Sequence, residues 1–428
     1  MDAILGAPAM HQIFDSLDHK KGILLASLIA IVGVMLQDAA QHIAMSAVTR
    51  IVVGFGSAIS NAPAPVLLAE LLPARARGRV LGIFFSCFYV WSLAAWRLPS
   101  LLKLIPSFLA ICLLPSVFES PRWLTSKGQD AHARVVLAIM QGQIPPDAMA
   151  ETAVRDIKAV MQKEEEACPR NAWRELLATP PNRRRLLVLV TFGTMISTLG
   201  NFVISYYLAR ILDQAGVTDT NTQLQISVGL NCWCFLVAMV GSFMLDVLDR
   251  RQQALISMAG MIVCLFVIGG MIKAYGKGDN AAGIYSTITV IFLLQGFYSF
   301  AIPPMTSLYP SEIPQYKLRA ADIAVFRFFD SDFGLLCSFP MSYAMEDLSW
   351  KFYFVNAAWD VLFGAVVYFS FPETKGLRPE EIAGLFEGPE ATEAACVTNE
   401  LVVNSNVQNG NPQRKEKWSK SEALPDHV

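Results

Sequence analysis

Long apolar runs separated by short polar connections dominate this chain. Each run approaches about 20 residues, the length that an α-helix needs to cross a bilayer. The runs occupy residues 22–41, 44–68, 80–95, 98–118, 186–208, 226–245, 254–272, 283–306, 320–344 and 352–371. Because they are continuous and do not alternate with polar positions, they exclude a β-barrel. The pattern therefore predicts an all-α membrane protein with about ten spanning helices.

Charged residues are scarce and unevenly placed. They make up 16% of the chain, against about a quarter in soluble domains. Lysine and arginine cluster on one side of the predicted bundle, which by the positive-inside rule is the cytoplasmic side, together with both termini. The clusters lie at Lys20/Lys21, Arg75/Arg77/Arg79, Arg183/Arg184/Arg185, Arg250/Arg251, Lys317/Arg319 and Lys375/Arg378.

One long polar insert divides the apolar runs into two groups. Residues 1–118 are predicted to form a first membrane half with about four helices, and residues 186–375 a second half with six. The insert, residues 119–185, is predicted to be a cytoplasmic helical linker. Residues 376–428 are polar, which predicts a largely disordered cytoplasmic tail.

Two short phrases recur in the two groups. Glu70 is followed by Pro73 and a basic cluster, and Glu312 by Pro314 and a second basic cluster. An acid, a proline and cations are typical of a helix end at the cytoplasmic surface. Acids followed by paired cations also recur, at residues 15–21 and 246–251. The repetition indicates two related halves.

Several phrases together carry a family resemblance. They lie at residues 50–56, 65–79, 96–99, 118–124 and 372–376, the last reading Pro-Glu-Thr-Lys-Gly. On these motifs the chain resembles the sugar porter family of the major facilitator superfamily, and especially its fungal lactose-permease and hexose-transporter-like members. Aligned on the motifs, residues 22–41 match the third helix of that family. We therefore expect an N-terminally truncated bundle with about ten of the usual twelve helices.

The resemblance implies a multi-pass carrier in the membrane, with the plasma membrane as the expected location. Its cargo would be a sugar or sugar-like solute moved by alternating access, with proton coupling and facilitated diffusion both left open. A non-transporting sensor and a non-functional remnant are the alternatives. Neither an enzyme, a cofactor, a metal site nor a nucleic-acid partner is predicted; the eight cysteines are scattered and include no CxxC.

The resemblance also implies a network of gating charges at the cytoplasmic helix ends. We expect it to hold the two halves together when the carrier faces outward. Arg50 lies within an apolar run, so its side chain is expected to face protein rather than lipid. Without the first two helices, however, that side would be open to lipid. The predicted members are Arg50, Glu70, Arg77, Arg79, Asp246, Arg250, Arg251, Glu312 and Arg319.

Candidate solute-binding positions follow from the same resemblance. They are Ser197, Gly200, Asn201, Tyr206, Cys234, Pro304 and Ser307. Ser197 and Cys234 stand where relatives carry amides, and Ser307 stands where an aromatic is usual. Since polyols need amides and an aromatic face, these departures weaken the case for an ordinary hexose.

Three charges in the run at 320–344 are candidates for proton coupling: Arg327, Asp330 and Asp332. Arg327 and Asp330 are three residues apart and can pair on one helix face. The trio either lines the solute site or forms a structural pair with Asp332 against another helix. Asp360 is a further isolated acid in an apolar run.

Overall fold

The computed structural model describes residues 18–61, 63–95, 104–140, 148–167, 172–214, 217, 219–275, 281–315, 318–348, 350–375, 382 and 384–386. Helices account for nearly all of this part of the chain, which confirms the all-α fold class. The helices below belong to one compact unit, Met1–Gly376, and the tail Leu377–Val428 forms a second. In the tail, residues 382 and 384–386 are helical.

The segment predicted to be the first membrane half begins with a closely packed pair of helices and continues to the predicted linker. Its helices are α1 (His19–Asp38), α2 (Ile43–Ser60), α3 (Pro63–Leu71), α4 (Ala74–Ala95) and α5 (Leu104–Leu113), with a short 3₁₀ turn at Leu114–Ser116. Gly56 allows α2 to approach α1, because a Cβ there would lie 2.9 Å from the backbone nitrogen of Ala30.

Short helices form the predicted linker. They are α6 (Pro121–Ser126), α7 (Asp130–Met140), α8 (Ala148–Ala167) and α9 (Ala172–Ala178). Leu124, Val136 and Val154 from the first three of these helices form a small apolar core. Leu71 at the end of α3 packs against that core, so the linker is attached to the first membrane half.

The second membrane half contains the longer helices. They are α10 (Pro180–Thr198), α11 (Gly200–Gln214), α12 (Thr220–Met244), α13 (Arg250–Tyr275), α14 (Ala281–Glu312), α15 (Arg319–Arg327), a π-helical turn (Phe328–Asp332), α16 (Phe333–Leu348) and α17 (Trp350–Ser370). Helix α4 of the first half packs along α12 and α14. That contact joins the two halves.

Length and hydropathy separate these helices into two groups. Within the described residues, six segments are long and apolar enough to cross a membrane. These are His19–Asp38, Ile43–Leu71, Thr220–Met244, Arg250–Ala274, Ala282–Glu312 and Trp350–Ser370. The other predicted spans are helical but more polar, shorter or interrupted. The run at 186–208 is broken at Leu199, whose backbone is extended (φ −62°, ψ 156°).

In the second half, α12 and α14 pack closely because glycines lie where the two helices cross. A Cβ on Gly241 of α12 would collide with the carbonyl group of Phe300 on α14. A Cβ on Gly296 of α14 would lie 2.8 Å from the indole nitrogen of Trp233 on α12. That nitrogen donates a hydrogen bond of 2.9 Å to the carbonyl of Phe292. Small residues at such crossings let helices pack through van der Waals contact in lipid.

Replacement of one of these glycines should therefore separate α12 from α14. Gly241→Ala is expected to lower the free energy of unfolding by about 1–3 kcal/mol, since overpacking forces backbone shifts. Gly270→Ala is the matched control, because a Cβ at Gly270 meets no atom within 4 Å. Thermal unfolding in detergent measures both, and equal melting temperatures would contradict this packing.

Candidate functional site

Two buried charges join the halves at helix ends that the positive-inside rule predicts to be cytoplasmic. The Arg319 guanidinium at the start of α15 lies 2.6 Å from a carboxylate oxygen of Glu70 on α3. Both side chains are at most 7% exposed. Removing one partner of a buried pair leaves an uncompensated charge and typically costs about 3–5 kcal/mol. This contact therefore stabilises the closed arrangement of the two halves.

A second ion pair between the halves lies nearer to solvent. Arg79 on α4 donates to Asp246, with nitrogen–oxygen distances of 2.6 and 2.8 Å. The Arg79 side chain is 46% exposed, so the pair is worth about 0–1 kcal/mol. Its guanidinium also lies over the Phe243 ring, 5.6 Å from the centroid. This pair therefore contributes little to the stability of the contact between the halves.

Arg77 and Glu312 add a third electrostatic interaction between the halves. Burial lowers the pKa of the Arg77 guanidinium, while the charge of Glu312 raises it. Glu312 is itself paired with Arg250 of α13. Arg250 also donates to the Thr374 hydroxyl at 2.6 Å. Glu312 therefore interacts with one cation from each half.

The Pro-Glu-Thr-Lys segment that follows α17 contacts the start of α13, next to the pair of Arg250 and Glu312. The Glu373 carboxylate accepts from the backbone amides of Arg250 and Arg251, at 3.3 and 3.1 Å, and so caps the start of α13. Arg251 packs over the Tyr368 ring, 4.8 Å from the centroid. Tyr309 donates a bond of 2.9 Å to the carbonyl of Pro372.

Glu119 and Ser120, at the start of the linker, bond to the first turns of α1 and α6 and to Glu70. Glu119 accepts from the backbone amide of Lys20 at 3.3 Å, near the start of α1. Ser120 caps α6 by accepting from the amide of Trp123, and its hydroxyl donates to Glu70. We call the charged residues that interact between the halves, together with Arg250, which pairs with Glu312, the cytoplasmic charge network. Its members are Glu70, Arg77, Arg79, Asp246, Arg250, Glu312 and Arg319.

Arg50 lies apart from the cytoplasmic charge network. It is on α2 and exposed, which corrects the expectation that it faces protein. The physical reason is that this side of the bundle is open: Ile43 and Val48 on the same helix are 91% and 60% exposed. Lys317, part of one predicted basic cluster, lies outside the described residues.

Deeper in the bundle, uncharged polar side chains meet between the halves. The Tyr89 hydroxyl of α4 lies 2.9 Å from the Ser299 hydroxyl of α14. Gln295, one turn from Ser299, donates to the Ser205 hydroxyl of α11 at 3.4 Å. Ser205 in turn donates to the Asn201 carbonyl oxygen at 3.2 Å. These three hydrogen bonds lie close together, because Gln295 and Ser299 are one turn apart on α14.

Two further residues lie beside these hydrogen bonds. The Cys234 thiol donates to the backbone carbonyl of Gln295 at 4.0 Å, and the Tyr298 hydroxyl lies near the Asn201 side chain. Gln295 and Asn201 are buried, whereas Ser205 is exposed. We call this set the central polar cluster: Tyr89, Asn201, Ser205, Cys234, Gln295, Tyr298 and Ser299.

The predicted solute-binding positions fall in three places. Asn201 and Cys234 belong to the central polar cluster. Ser307 donates to the carbonyl of Leu81 at 3.0 Å, and Pro304 packs against Gly82, where a Cβ would lie 3.2 Å away. These two residues therefore contact α4. Ser197 and Gly200 flank the break between α10 and α11, and the Tyr206 side chain lies outside the described residues.

Sequence reasoning missed Tyr89, Gln295 and Ser299. Gln295 was detectable, because it is an isolated amide in an apolar run and a buried polar group requires partners. Tyr89 carried no such signal, since tyrosine is common in spans and its partner is more than 200 residues away. Its role depends on the packing of α4 against α14.

The predicted coupling residues lie beside the break in α15–α16. Arg327 and Asp330 pair at 3.0 Å, as their spacing predicted. Arg327 also reaches the carbonyl of Asn61 in the first half, at 3.5 Å. Ser197 donates to the carbonyl groups of Phe329 and Asp330 in the π-helical turn. The Asp332 side chain lies outside the described residues.

A family comparison agrees with this architecture. Residues 3–386 match the model of the sugar (and other) transporter family. The chain belongs to this family. The match confirms the resemblance found from the motifs, excludes an enzyme, and places the chain among multi-pass membrane carriers.

Individual relatives are distant but cover most of the chain. The MFS-type transporter oryC of Aspergillus oryzae is 27% identical, over 88% of this chain and 73% of its own length. The probable polyol transporter 4 of Arabidopsis thaliana is 28% identical, over 90% of this chain and 76% of its own. The crystal structure of the proton:xylose symporter XylE has a TM-score of 0.72 at 19% identity, covering 90% of this chain and 87% of XylE.

The cytoplasmic charge network predicts a specific defect and its repair. Arg319→Ala should leave Glu70 buried without its cation and open the cytoplasmic side by more than tenfold in population. A cysteine placed at Ser311 should then react faster with a thiol reagent added from the cytoplasm. The swap Glu70→Arg with Arg319→Glu should restore slow labelling. Unchanged labelling in Arg319→Ala, with normal membrane insertion, would show that the pair does not hold the halves together.

Proposed function

We propose that this protein carries a neutral polyhydroxylated solute, a sugar or a polyol, through the central polar cluster. The observation that supports it best is the hydrogen bond between Tyr89 and Ser299. That bond joins the two halves inside the bundle, about 15 to 20 Å from the cytoplasmic ion pairs at 1.5 Å per helical residue. A solute that displaced it would contact both halves at once.

The chemistry of the cluster favours hydroxyl groups as ligands. It offers hydroxyls from serine and tyrosine, and amides from Asn201 and Gln295, which both donate and accept hydrogen bonds. The side-chain oxygen of Gln295, Oε1, is buried and has no hydrogen-bond partner among the described residues. A solute hydroxyl would satisfy it. None of the cluster residues carries a formal charge, which favours a neutral solute over an anion or a cation.

Alternating access follows from where the contacts lie. The cytoplasmic charge network joins the inner helix ends, so solute would enter the cluster from the opposite side. Solute bound between α4 and the second half would draw the outer helix ends together. Release on the inner side would then require Glu70 and Arg319 to separate. Such rocking of two repeats about a central site is the usual mechanism in duplicated carriers.

Two features belong to this proposal as well. The Arg327–Asp330 pair, with Asp332, is a candidate for coupling, because Arg327 also contacts Asn61 in the first half. The plasma membrane is the proposed location. Membership of a transporter family favours a carrier over a sensor or a non-functional remnant.

Amide removal in the cluster tests this function. Gln295→Leu and Asn201→Leu should each raise the KM for the transported solute about two- to tenfold, because one or more hydrogen bonds of about 1 kcal/mol are lost. Uptake of labelled hexoses, pentoses and polyols in a transporter-deficient yeast strain provides the measurement.

Asn231→Leu is the matched control. Asn231 also lies in a span, but among the described residues its amide bonds only to the carbonyl of Ser227, within its own helix at 2.9 Å. Solute uptake by the Asn231→Leu variant should equal that by the unaltered protein. Equal KM values for all three variants would remove the cluster from the solute pathway.

A further inference from the structure

Helix α17 presents a polar stripe to the interior of the second half. Tyr353, Asn356 and Asp360 are three and four residues apart, so they lie on one helix face. They are 1%, 6% and 0% exposed, respectively. Within the part of the chain that the structure describes, each has one side-chain oxygen with no hydrogen-bond partner. These are the Tyr353 hydroxyl and the Oδ1 atoms of Asn356 and Asp360. An aligned set of unpartnered oxygens in a span requires an explanation.

The stripe meets the break between α10 and α11. The Asn356 side-chain nitrogen donates to the carbonyl of Thr198 at 3.3 Å. The Oδ2 atom of Asp360 accepts from the backbone amide of Gly200 at 3.4 Å. The two ends of the break are therefore bonded to two side chains one turn apart on α17. A Cβ on Gly200 would lie 3.0 Å from Asn356 Oδ1, so this oxygen also faces the break.

Asp360 occupies a setting that suits an uncharged acid. Among the described residues it forms no ion pair within 4.0 Å. A carboxylate buried without a cation is far more costly than a neutral carboxyl group. The amide of Gly200, at the start of α11, compensates only part of that cost.

Charged and titratable groups on the neighbouring elements lie elsewhere along the helices. Lys273 of α13 lies over the Trp350 ring, ten residues or about 15 Å along α17 from Asp360. Cys264 of α13 is the buried thiol on that helix. The remaining described groups are Asp213 on α11, Arg250 and Arg251 on α13, Cys337, Tyr343 and Asp347 on α16, and Lys351, Tyr353 and Tyr368 on α17; the side chains of Tyr206, Tyr207 and Arg210 on α11 and of Glu346 on α16 lie outside the described residues.

A single proton would allow two of the unpartnered oxygens to form a hydrogen bond with each other. Asp360 Oδ1 and Asn356 Oδ1 are both acceptors and cannot bond to each other while Asp360 is ionised. Once Oδ1 of Asp360 is protonated, its O–H group can donate to Asn356 Oδ1, since residues four apart on a helix are neighbours. We propose that Asp360 is a proton-binding site of this carrier, with Asn356 as the acceptor that positions the bound proton.

The proposed step is a simple proton transfer. A hydronium ion transfers a proton to Asp360 Oδ1: one O–H bond of the hydronium ion breaks, the carboxyl O–H bond forms, and a water molecule is left. Because Asp360 and Asn356 both bond to the break between α10 and α11, a change in protonation alters how that break is held. This coupling rests on the proposed carrier function, whereas proton binding itself does not.

Infrared spectroscopy of the purified protein tests proton binding without transport. A carbonyl band of a protonated carboxyl group should appear in pH-difference spectra, vanish in Asp360→Asn and persist in the control Asp219→Asn. Asp219 is an exposed acid that caps α12. In Asn356→Leu the band should move to higher frequency, because the O–H group loses its acceptor. Absence of the band from the unaltered protein, or its persistence in Asp360→Asn, would overturn the proposal.

Transport in proteoliposomes tests the coupling. Asp360→Asn keeps the shape of the side chain and should retain solute exchange, yet lose accumulation driven by a proton gradient. Asp360→Glu should restore part of that accumulation. Full proton-driven accumulation by Asp360→Asn would refute a coupling role. If the unaltered protein carried no sugar or polyol while the infrared band behaved as expected, the proton site would stand and the proposed solute would be wrong.

Discussion

Pairing of buried charges between the two halves is the constraint on which this arrangement depends. Glu70 and Arg319 are both nearly inaccessible to solvent, so neither can be left alone without a cost of about 3–5 kcal/mol. The more exposed pair of Arg79 and Asp246 contributes far less. The closed cytoplasmic side therefore persists only while α3 and α15 remain in contact. Any inward-facing state must rehydrate both charges, which gives the bundle two discrete arrangements rather than a continuum.

The remaining contacts extend this constraint toward the centre of the bundle. Helix α4 carries Arg79 at its cytoplasmic end and Tyr89 about three turns further along, so the charge network and the central polar cluster are linked by one rigid element. Ser307 bonds to the α4 backbone between them. Movement of α4 relative to α14 would disturb the ion pair and the Tyr89–Ser299 bond together. Solute at the cluster can thereby influence the cytoplasmic side.

Local patterns in the sequence were sufficient to predict most helices. The charged residues at the helix ends were named from the family resemblance, and the structure pairs Glu70 with Arg319, Arg79 with Asp246 and Arg250 with Glu312. Two expectations were stated for Arg50, a side chain that faces protein and a side open to lipid, and its exposed side chain agrees with the second. Tyr89 and Asp360 depend on contacts with residues far away in the chain. Sequence periodicity carries no information on such contacts, and the break at Leu199 became clear only from the backbone.

A disulfide between the halves tests the central claim most directly. A Cβ built on Gly78 of α4 lies 3.7 Å from the Cβ of Leu245, beyond α12, a separation that suits a disulfide bond. Gly78→Cys with Leu245→Cys, in a background without other cysteines, should lose uptake on oxidation and regain it on reduction, while the oxidised protein still binds solute from outside. Each single variant controls for the substitutions, and cleavage within residues 141–147 verifies the bridge on a non-reducing gel. Full uptake by the bridged protein would contradict a cytoplasmic gate formed by these charges.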